Sequence, residues 1–349
     1  LPTTMMDKIG SHMGSCFACP IKCKRHVESH NKYEVDPAYG GAEYEGLGVF
    51  GSNCGVRDIE IISYANMLCN ANSVDVLSAG LTISFAMECF EKGILTLADT
   101  SNINLRFGNG EAMIEVLELI IQRKGIGELL AEGSAEAARR LGKGSEAFAM
   151  NCKGVELAMH EPRLKWGLGL SYAVAPHGGD HGIGIHDPLF VANGSGKKKM
   201  NALGYLTPFI SQDLSARKVR LAADLQRFRN YEDSLVTCYA VPFDFNKRVE
   251  VERAITGWNS SLIEAMRVGE RAIQLARVFN IREGFTSAQD CLPERSHTPV
   301  PFGPLKGTFI GKEDFQNGLQ YYYEEMGWDK NGVPKRSTLE KFELDWAII

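Results

Sequence analysis

The sequence predicts a mostly α-helical protein built from two helical domains. Three observations carry that prediction. Apolar residues recur at helical spacing over long segments, as Ile61, Ile62, Ala65, Met67 and Leu68 do within 59–70. Successive segments stop at Gly93, Gly125 and Gly142, and glycine is the residue that closes helices most readily. Strict apolar–polar alternation, the mark of a half-buried strand, is scarce in the first half of the chain.

Taken in order, residues 1–40 read as irregular and carry a cysteine group. Helices are expected over 59–70, 82–92, 111–124 and 126–141. Residues 142–163 change texture, with glycine and polar residues leading to His160-Glu-Pro-Arg163. The domains are therefore drawn as 1–155 and 156–349. The glycine- and histidine-rich stretch 167–186 reads as a loop. Lys197-Lys198-Lys199 follows Gly194-Ser-Gly196 and reads as an exposed loop. Further helices are expected over 215–232, 249–258 and 260–281, the last with Leu262, Met266, Ala272, Leu275, Ala276 and Phe279 as its apolar residues. Residues 299–304 form a loop and 315–326 the last helix.

Composition narrows the function classes. The 349 residues are enough for a large core. An apolar fraction of 44% and a charged fraction of 23% are those of an ordinary soluble protein. A net charge of -5 gives no basic field for nucleic acid. No run approaches a membrane span and no signal sequence opens the chain, so a cytoplasmic protein is expected. Nine cysteines are too few for a disulfide scaffold of this length and point to a reducing compartment. The opening Leu1-Pro-Thr-Thr, without Met, reads as a processed or truncated start. Gly10-Ser-His-Met13 is like an expression-tag scar, but it runs straight into the cysteine group and reads as coincidence.

The chemistry starts at Cys16, Cys19 and Cys23. This spacing brings three thiolates together in one wrapped loop. Pro20 restricts the turn, and the remaining backbone N–H groups can face the sulfurs. A fourth thiolate is then wanted from elsewhere, and four suit a [4Fe–4S] cluster. Tetrahedral zinc and unligated core cysteines are the alternatives on spacing alone. Cys54, Cys69, Cys89, Cys152 and Cys291 are isolated and read as small buried hydrophobes. Cys54, inside Gly51-Ser-Asn-Cys-Gly55, is the one that glycines would let approach a cofactor.

Other motifs follow in order: Gly40-Gly-Ala-Glu-Tyr-Glu45, Asn72-Ser-Val-Asp75-Val-Leu-Ser-Ala-Gly80, Lys153-Gly-Val-Glu-Leu157, Gly167-Leu-Gly-Leu-Ser-Tyr-Ala173, Asp233-Ser-Leu-Val-Thr-Cys238 and Tyr322-Tyr-Glu-Glu-Met-Gly-Trp-Asp329. With the cysteines, this set resembles the aldehyde:ferredoxin oxidoreductase family of tungsten-pterin enzymes over essentially the whole chain. The resemblance implies the two helical C-terminal domains of such a protein. It also implies an N-terminal β domain, roughly two hundred residues, that this chain does not match; that domain is on another chain, cleaved or deleted. The cofactors implied are one [4Fe–4S] cluster and a tungsten bis-pterin, with molybdenum the less favoured metal. The partners implied are ferredoxin or a ferredoxin-like subunit, a small aldehyde, and for a homo-oligomer a second copy of the chain.

The resemblance also assigns roles. Cys16, Cys19, Cys23 and Cys238 match the four cluster ligands. Asp75 and Asp233 match the two pterin-binding aspartates, whose carboxylates would accept from pterin N–H groups. The family's Asp-x2-Gly-Leu-Cys becomes Asp233-x2-Val236-Thr237-Cys238 here. The plain alternative for Asp75 is a helix N-cap. Ser78 and Gly80 would let backbone meet the cofactor, and Arg57 and Arg163 are candidates for its anionic groups. Lys22, Lys24 and Arg25 flank the cysteines as a solvated basic turn or a docking patch for an acidic ferredoxin. Glu45, then Glu43, is the candidate proton acceptor. His181, then His177, is the candidate histidine, with His186 and Asp187 extending its loop. Tyr44, Phe50, Trp166, Tyr172 and Phe243 are core aromatics or pocket walls. The implied reaction takes an aldehyde and water to a carboxylic acid, releasing two electrons. The alternatives are reduction of an aromatic acyl-CoA ring by a relative of the same family, and a non-catalytic iron–sulfur subunit.

Overall fold

The computed structural model describes residues 9–196 and 199–347. The expectations for Leu1-Pro-Thr-Thr and for Lys197 and Lys198 lie outside these residues; Lys199 is exposed and begins a 3-10 turn. Helices dominate, as expected, and the chain divides into two compact units, Leu1–Met159 and His160–Ile349.

The first unit is built on the helices Ile59–Ala71, Val76–Glu91 and Gly110–Gln122. Asp58, Asp75 and Asn109 cap them, each side chain accepting a backbone N–H of the first turn. Their inner faces bury Ile62, Ile83, Met87, Met113 and Leu117 around Val49 and Phe50. The helix expected over 126–141 is two, Ile126–Leu130 and Ser134–Leu141. Gly133, at φ 84, turns the chain between them in a conformation that disfavours side chains. Residues 1–40 are not irregular throughout. Strands Gly10–Gly14, Lys24–His30 and Glu34–Val35 form an antiparallel ribbon. Only Val27 and Ser29 of the middle strand are buried, so its polar sequence carries almost no alternating signal. The Gly10-Ser-His-Met13 stretch is an integral part of that ribbon. The texture change after 142 holds a two-stranded hairpin, Asn151–Cys152 with Val155–Glu156.

In the second unit the helix Ala216–Ser234 packs against Leu262–Arg282 and Lys312–Glu325. Buried charge is matched at their interface. Arg227 reaches Asp224 at 2.8 Å, Glu270 at 2.8 Å and Glu325 at 2.9 Å. Arg277 pairs with Asp290 at 2.8 Å, and the Tyr323 hydroxyl donates to the same carboxylate at 2.6 Å. The stretch 167–186 is not all loop: Trp166–Val174 is a buried helix, and the loop begins only after it. Its glycines suggested a loop, but they are close-packing positions on a helix.

Candidate functional site

In the first unit the cysteines occupy the connection of a hairpin. Gly14 pairs with Lys24, so residues 15–23 join two registered strands. The Cys19 amide donates to the Cys16 carbonyl at 3.0 Å, and Ala18 and Lys22 take left-handed backbone conformations at φ 55 and φ 53. Cys16 and Cys23 are exposed and Cys19 half-buried. Among the described residues the three thiols do not meet within 4.8 Å. A single tetrahedral zinc, at about 2.3 Å per thiolate, would need them closer than that. Arg25 donates to the Ser11 hydroxyl across the ribbon at 3.2 Å.

Beside this ribbon lies a cavity of about 350 Å³ lined by Lys24, Arg25, Tyr39, Glu43, Glu45 and Asn66, among others. Both candidate glutamates therefore face one space. Glu43 is exposed and Glu45 half-buried. Glu45 Oε2 accepts the Met159 amide at 2.8 Å, while the Tyr44 hydroxyl donates to the Met159 carbonyl at 3.1 Å. These two bonds orient the 43–45 turn.

Asp75 caps the helix Val76–Glu91, Oδ1 accepting the Ser78 amide at 2.7 Å, and its carboxylate is exposed. The capping role is thus present, and it leaves the residue at the surface where a ligand can reach it. A side chain at Gly80 would meet Val49 Cγ2 at 2.5 Å, so helix packing alone demands glycine there. Cys54 is buried and donates to the Gly80 carbonyl at 3.6 Å. Burial pushes the Cys54, Cys69 and Cys89 thiols up to about 12, which keeps them protonated core residues. Cys152 is buried as well, but Cys291 is exposed, against expectation. Arg57 is exposed.

The second unit gathers three histidines. The rings of His160 and His181 lie 5.0 Å apart, His160 and His186 4.7 Å, and His181 and His186 5.9 Å. His177 sits outside this group, exposed and 3.3 Å from Asp180. Burial, with the Lys165 charge and then the other two imidazoles, lowers the His186 pKa to about 4, against a raising hydrogen bond to the His181 backbone. Tyr172 is buried and donates to the His160 carbonyl at 3.3 Å. Asp187 is wholly enclosed by the protein. Its fully buried carboxylate accepts the Gly167 and Leu168 amides, each at 3.0 Å, and pairs with the equally buried Lys218 at 2.6 Å. It thereby closes the start of the Trp166–Val174 helix and pins the histidine loop to it. A side chain on Gly167 would collide with Ile185 Cγ2 at 2.7 Å.

Asp233 ends the Ala216–Ser234 helix and is exposed; partial burial raises its pKa, Arg229 opposes this and Asp180 adds to it. The next turn departs from the family motif in an informative way. Val236, standing where the family has glycine, holds the left-handed φ of 54 and is 92% exposed. The glycine conformation persists without the glycine. Cys238 follows, exposed, with Arg248 donating to its carbonyl at 3.1 Å and to the Val241 carbonyl at 3.0 Å. Arg248 also pairs with the buried Glu232 at 2.5 Å, so one guanidinium fastens the Cys238 loop to the helix. A cavity of about 320 Å³ lies here, with His186, Phe190, Arg229, Tyr239, Phe243 and Arg248 in its wall. Arg163 is mostly buried and spent on Glu161, at 2.9 Å and 2.8 Å.

Sequence reasoning missed His160, Lys165 and Arg248 as site residues. His160 stood in a noted motif, but nothing local places it beside residues 181 and 186. Of the predicted aromatics, Phe50 and Tyr172 are core, while Tyr44 and Phe243 line cavities.

These features define a helical, cysteine- and histidine-bearing module, with no helix among the described residues long and apolar enough to cross a membrane. The family model for aldehyde ferredoxin oxidoreductase, domains 2 & 3, matches residues 3–344, and the chain belongs to this family. The tungsten-containing aldehyde ferredoxin oxidoreductase of Thermococcus kodakarensis is 32% identical over 334 residues, 94% of this chain and 52% of that protein. The corresponding Pyrococcus abyssi protein is 31% identical over 95% of this chain and 53% of its own length. The WOR-like subunit of an aliphatic sulfonate oxidoreductase from Pyrococcus furiosus is 29% identical over 95% of this chain and 50% of its own. The chain spans about half the length of the curated relatives it matches. Among solved structures, the BamBC active-site complex of benzoyl coenzyme A reductase, with a 1,5-dienoyl-CoA, shares the fold at a TM-score of 0.77. Its identity is 22%, over 99% of this chain and 54% of that one. The chain therefore shares its oxidoreductase family with proteins named as tungsten-containing. Among the described residues the sheets are limited to the three-stranded ribbon and the two-stranded hairpin, and no sheet-rich pterin-cradling domain is present.

Proposed function

We propose that this chain supplies the helical half of a tungstopterin oxidoreductase that passes electrons through a [4Fe–4S] cluster to a ferredoxin-like carrier. The match of residues 3–344 to two family domains carries this reading. Cys16, Cys19, Cys23 and Cys238 would hold the cluster. The hairpin connection carries the first three of these close together in sequence, with Cys16 and Cys23 exposed and Cys19 half-buried. Asp75 and Asp233, exposed carboxylates at a helix start and a helix end, would accept pterin N–H groups. When bound, the tungstopterin supplies the two-electron redox chemistry.

The chain's own residues position substrate and move protons. Glu45, oriented through Oε2 by the Met159 amide, would take up a proton, with Glu43 beside it in the same cavity. His181 would donate a hydrogen bond to the substrate oxygen where negative charge develops.

Two substrate classes are supported. The curated relatives' name favours an aldehyde, oxidised to its acid. The likeness to the benzoyl coenzyme A reductase complex adds weight to reduction of an aromatic acyl-CoA, and the aromatic wall of the 320 Å³ cavity suits that class. Anaerobically purified protein is to be assayed for tungsten, iron and pterin, then for an aldehyde panel and an aromatic acyl-CoA with a low-potential dye. Iron without pterin would reduce the chain to an electron-transfer subunit, and zinc alone would end the redox reading. Unchanged iron content in Cys238→Ser would remove Cys238 from the ligand set.

A further inference from the structure

We propose that the cavity of about 350 Å³ beside the cysteine ribbon binds a small carboxylate that also bears a hydroxyl or carbonyl group. Arg25 takes the carboxylate and Asn66 reads the second group. The bearing of this site on turnover rests on the function proposed above, because Glu45 lines the same cavity; the binding itself does not.

The case starts at Asn66. On the helix Ile59–Ala71 it shares a face with Ile62, Ala65 and Cys69, at the i, i+3, i+4 and i+7 spacing of a packed surface. All four are buried, Asn66 to 5% exposure, where packing alone would favour an apolar side chain. Its carboxamide nevertheless makes no hydrogen bond among the described residues. Buried polar side chains are nearly always paired, so an unpaired one calls for an explanation. The explanation is the cavity that Asn66 lines. Its Oδ1 lies over Gly46, where the Cβ of any larger residue would come within 2.9 Å of it. Glycine at 46 thus leaves the carboxamide room. Asn70, the other carboxamide of this wall, is exposed and already spent, donating to the Tyr39 carbonyl at 2.9 Å.

The charges of the wall set the ligand class. They are Lys24, Arg25, Glu43 and Glu45. Arg25 is half-buried, and the one hydrogen bond of its side chain among the described residues goes to the Ser11 hydroxyl. Neither Arg25 nor the exposed Lys24 has an ion-pair partner among the described residues. A guanidinium holds five N–H donors in a planar fork that matches the two oxygens of a carboxylate. Glu43 and Glu45 repel an anion in the same space, which favours a monocarboxylate over a phosphate dianion. The Asn66 carboxamide carries two donors and an acceptor, so it serves a hydroxyl or a carbonyl equally.

The test is calorimetric titration of the full chain with lactate, with propionate, which lacks the hydroxyl, and with inorganic phosphate. Lactate is expected to bind about fivefold more tightly than propionate, the worth of one ordinary hydrogen bond. Asn66→Leu should abolish that preference and leave propionate binding as it was, a result that loss of structure alone would not give. Arg25→Gln should weaken both carboxylates by about tenfold or more, the low end for a hydrogen bond to a charged group. The unaltered chain decides the matter without any variant. No binding, equal affinity for lactate and propionate, or tighter binding of phosphate would each overturn the proposal. A lactate preference that survives in Asn66→Leu would overturn it as well. The readout needs neither tungsten nor turnover, so loss of the oxidoreductase reading and loss of this one are separate results.

Discussion

Replacing Lys218 by methionine tests how the histidine loop is held. Lys218 and Asp187 are both fully buried, 2.6 Å apart, and Asp187 also accepts two helix-start amides. At an effective dielectric of 20, the direct attraction at that distance is about 6 kcal/mol. Removing one partner of a buried pair typically costs about 3–5 kcal/mol, because the other charge is stranded. The two amides remain, so Lys218→Met should lose about 3 kcal/mol, near the low end. For a unit of this size that is a fall in Tm of roughly 6–12 °C. The pH trend is a second signature. Burial already raises the Asp187 pKa against the pull of Lys218, and loss of Lys218 raises it further. A carboxyl with a raised folded-state pKa contributes stability that is full below its unfolded value, about 3.9, and is lost as pH rises through the folded value. The deficit of the variant should therefore grow from pH 5 to pH 7. Urea unfolding followed by tryptophan fluorescence measures both effects. Adding Asp187→Asn should recover at least about 1 kcal/mol by removing the stranded charge. A deficit below about 1 kcal/mol at pH 7, or one no smaller at pH 5, would refute the reasoning.

Three further outcomes are expected. Val236→Gly should stabilise the chain by about 1 kcal/mol in the same urea assay, since it relieves a β-branched residue at positive φ. No gain would mean the turn carries no strain. Asp75→Asn should keep the helix cap and change stability by less than about 0.5 kcal/mol. Pterin content of the purified protein should nevertheless fall, because Asn lacks the second acceptor oxygen and the charge; full retention would leave Asp75 with its capping role alone. The depressed pKa of His186, about 4, contributes stability present above the unfolded value near 6.5 and lost as pH falls from there toward 4. Discounted for solvent screening, the loss is roughly 1–3 kcal/mol, and His186→Asn should remove it from the pH–stability curve.

The helical class was legible because apolar spacing is a local property. The faces of 59–70 and 260–281 announce themselves in any window, and the helices Ile59–Ala71 and Leu262–Arg282 lie where those faces put them. The cysteine spacing and the family were legible for the same reason, since they are carried by residues close in sequence. The ribbon Gly10–Gly14 with Lys24–His30 was not, because its outer face is polar and only two of its seven middle-strand positions are buried. The Trp166–Val174 helix was hidden by glycines whose purpose is close packing. The sequence by itself determined the helical architecture and the chemical inventory, because both depend on neighbours along the chain. Only the tertiary structure decided that His160 joins His181 and His186, that Asp187 serves a helix start, and that Arg248 holds the Cys238 loop. Those pairings join residues 10 to 26 positions apart in the chain, and folding alone brings them within a few ångströms.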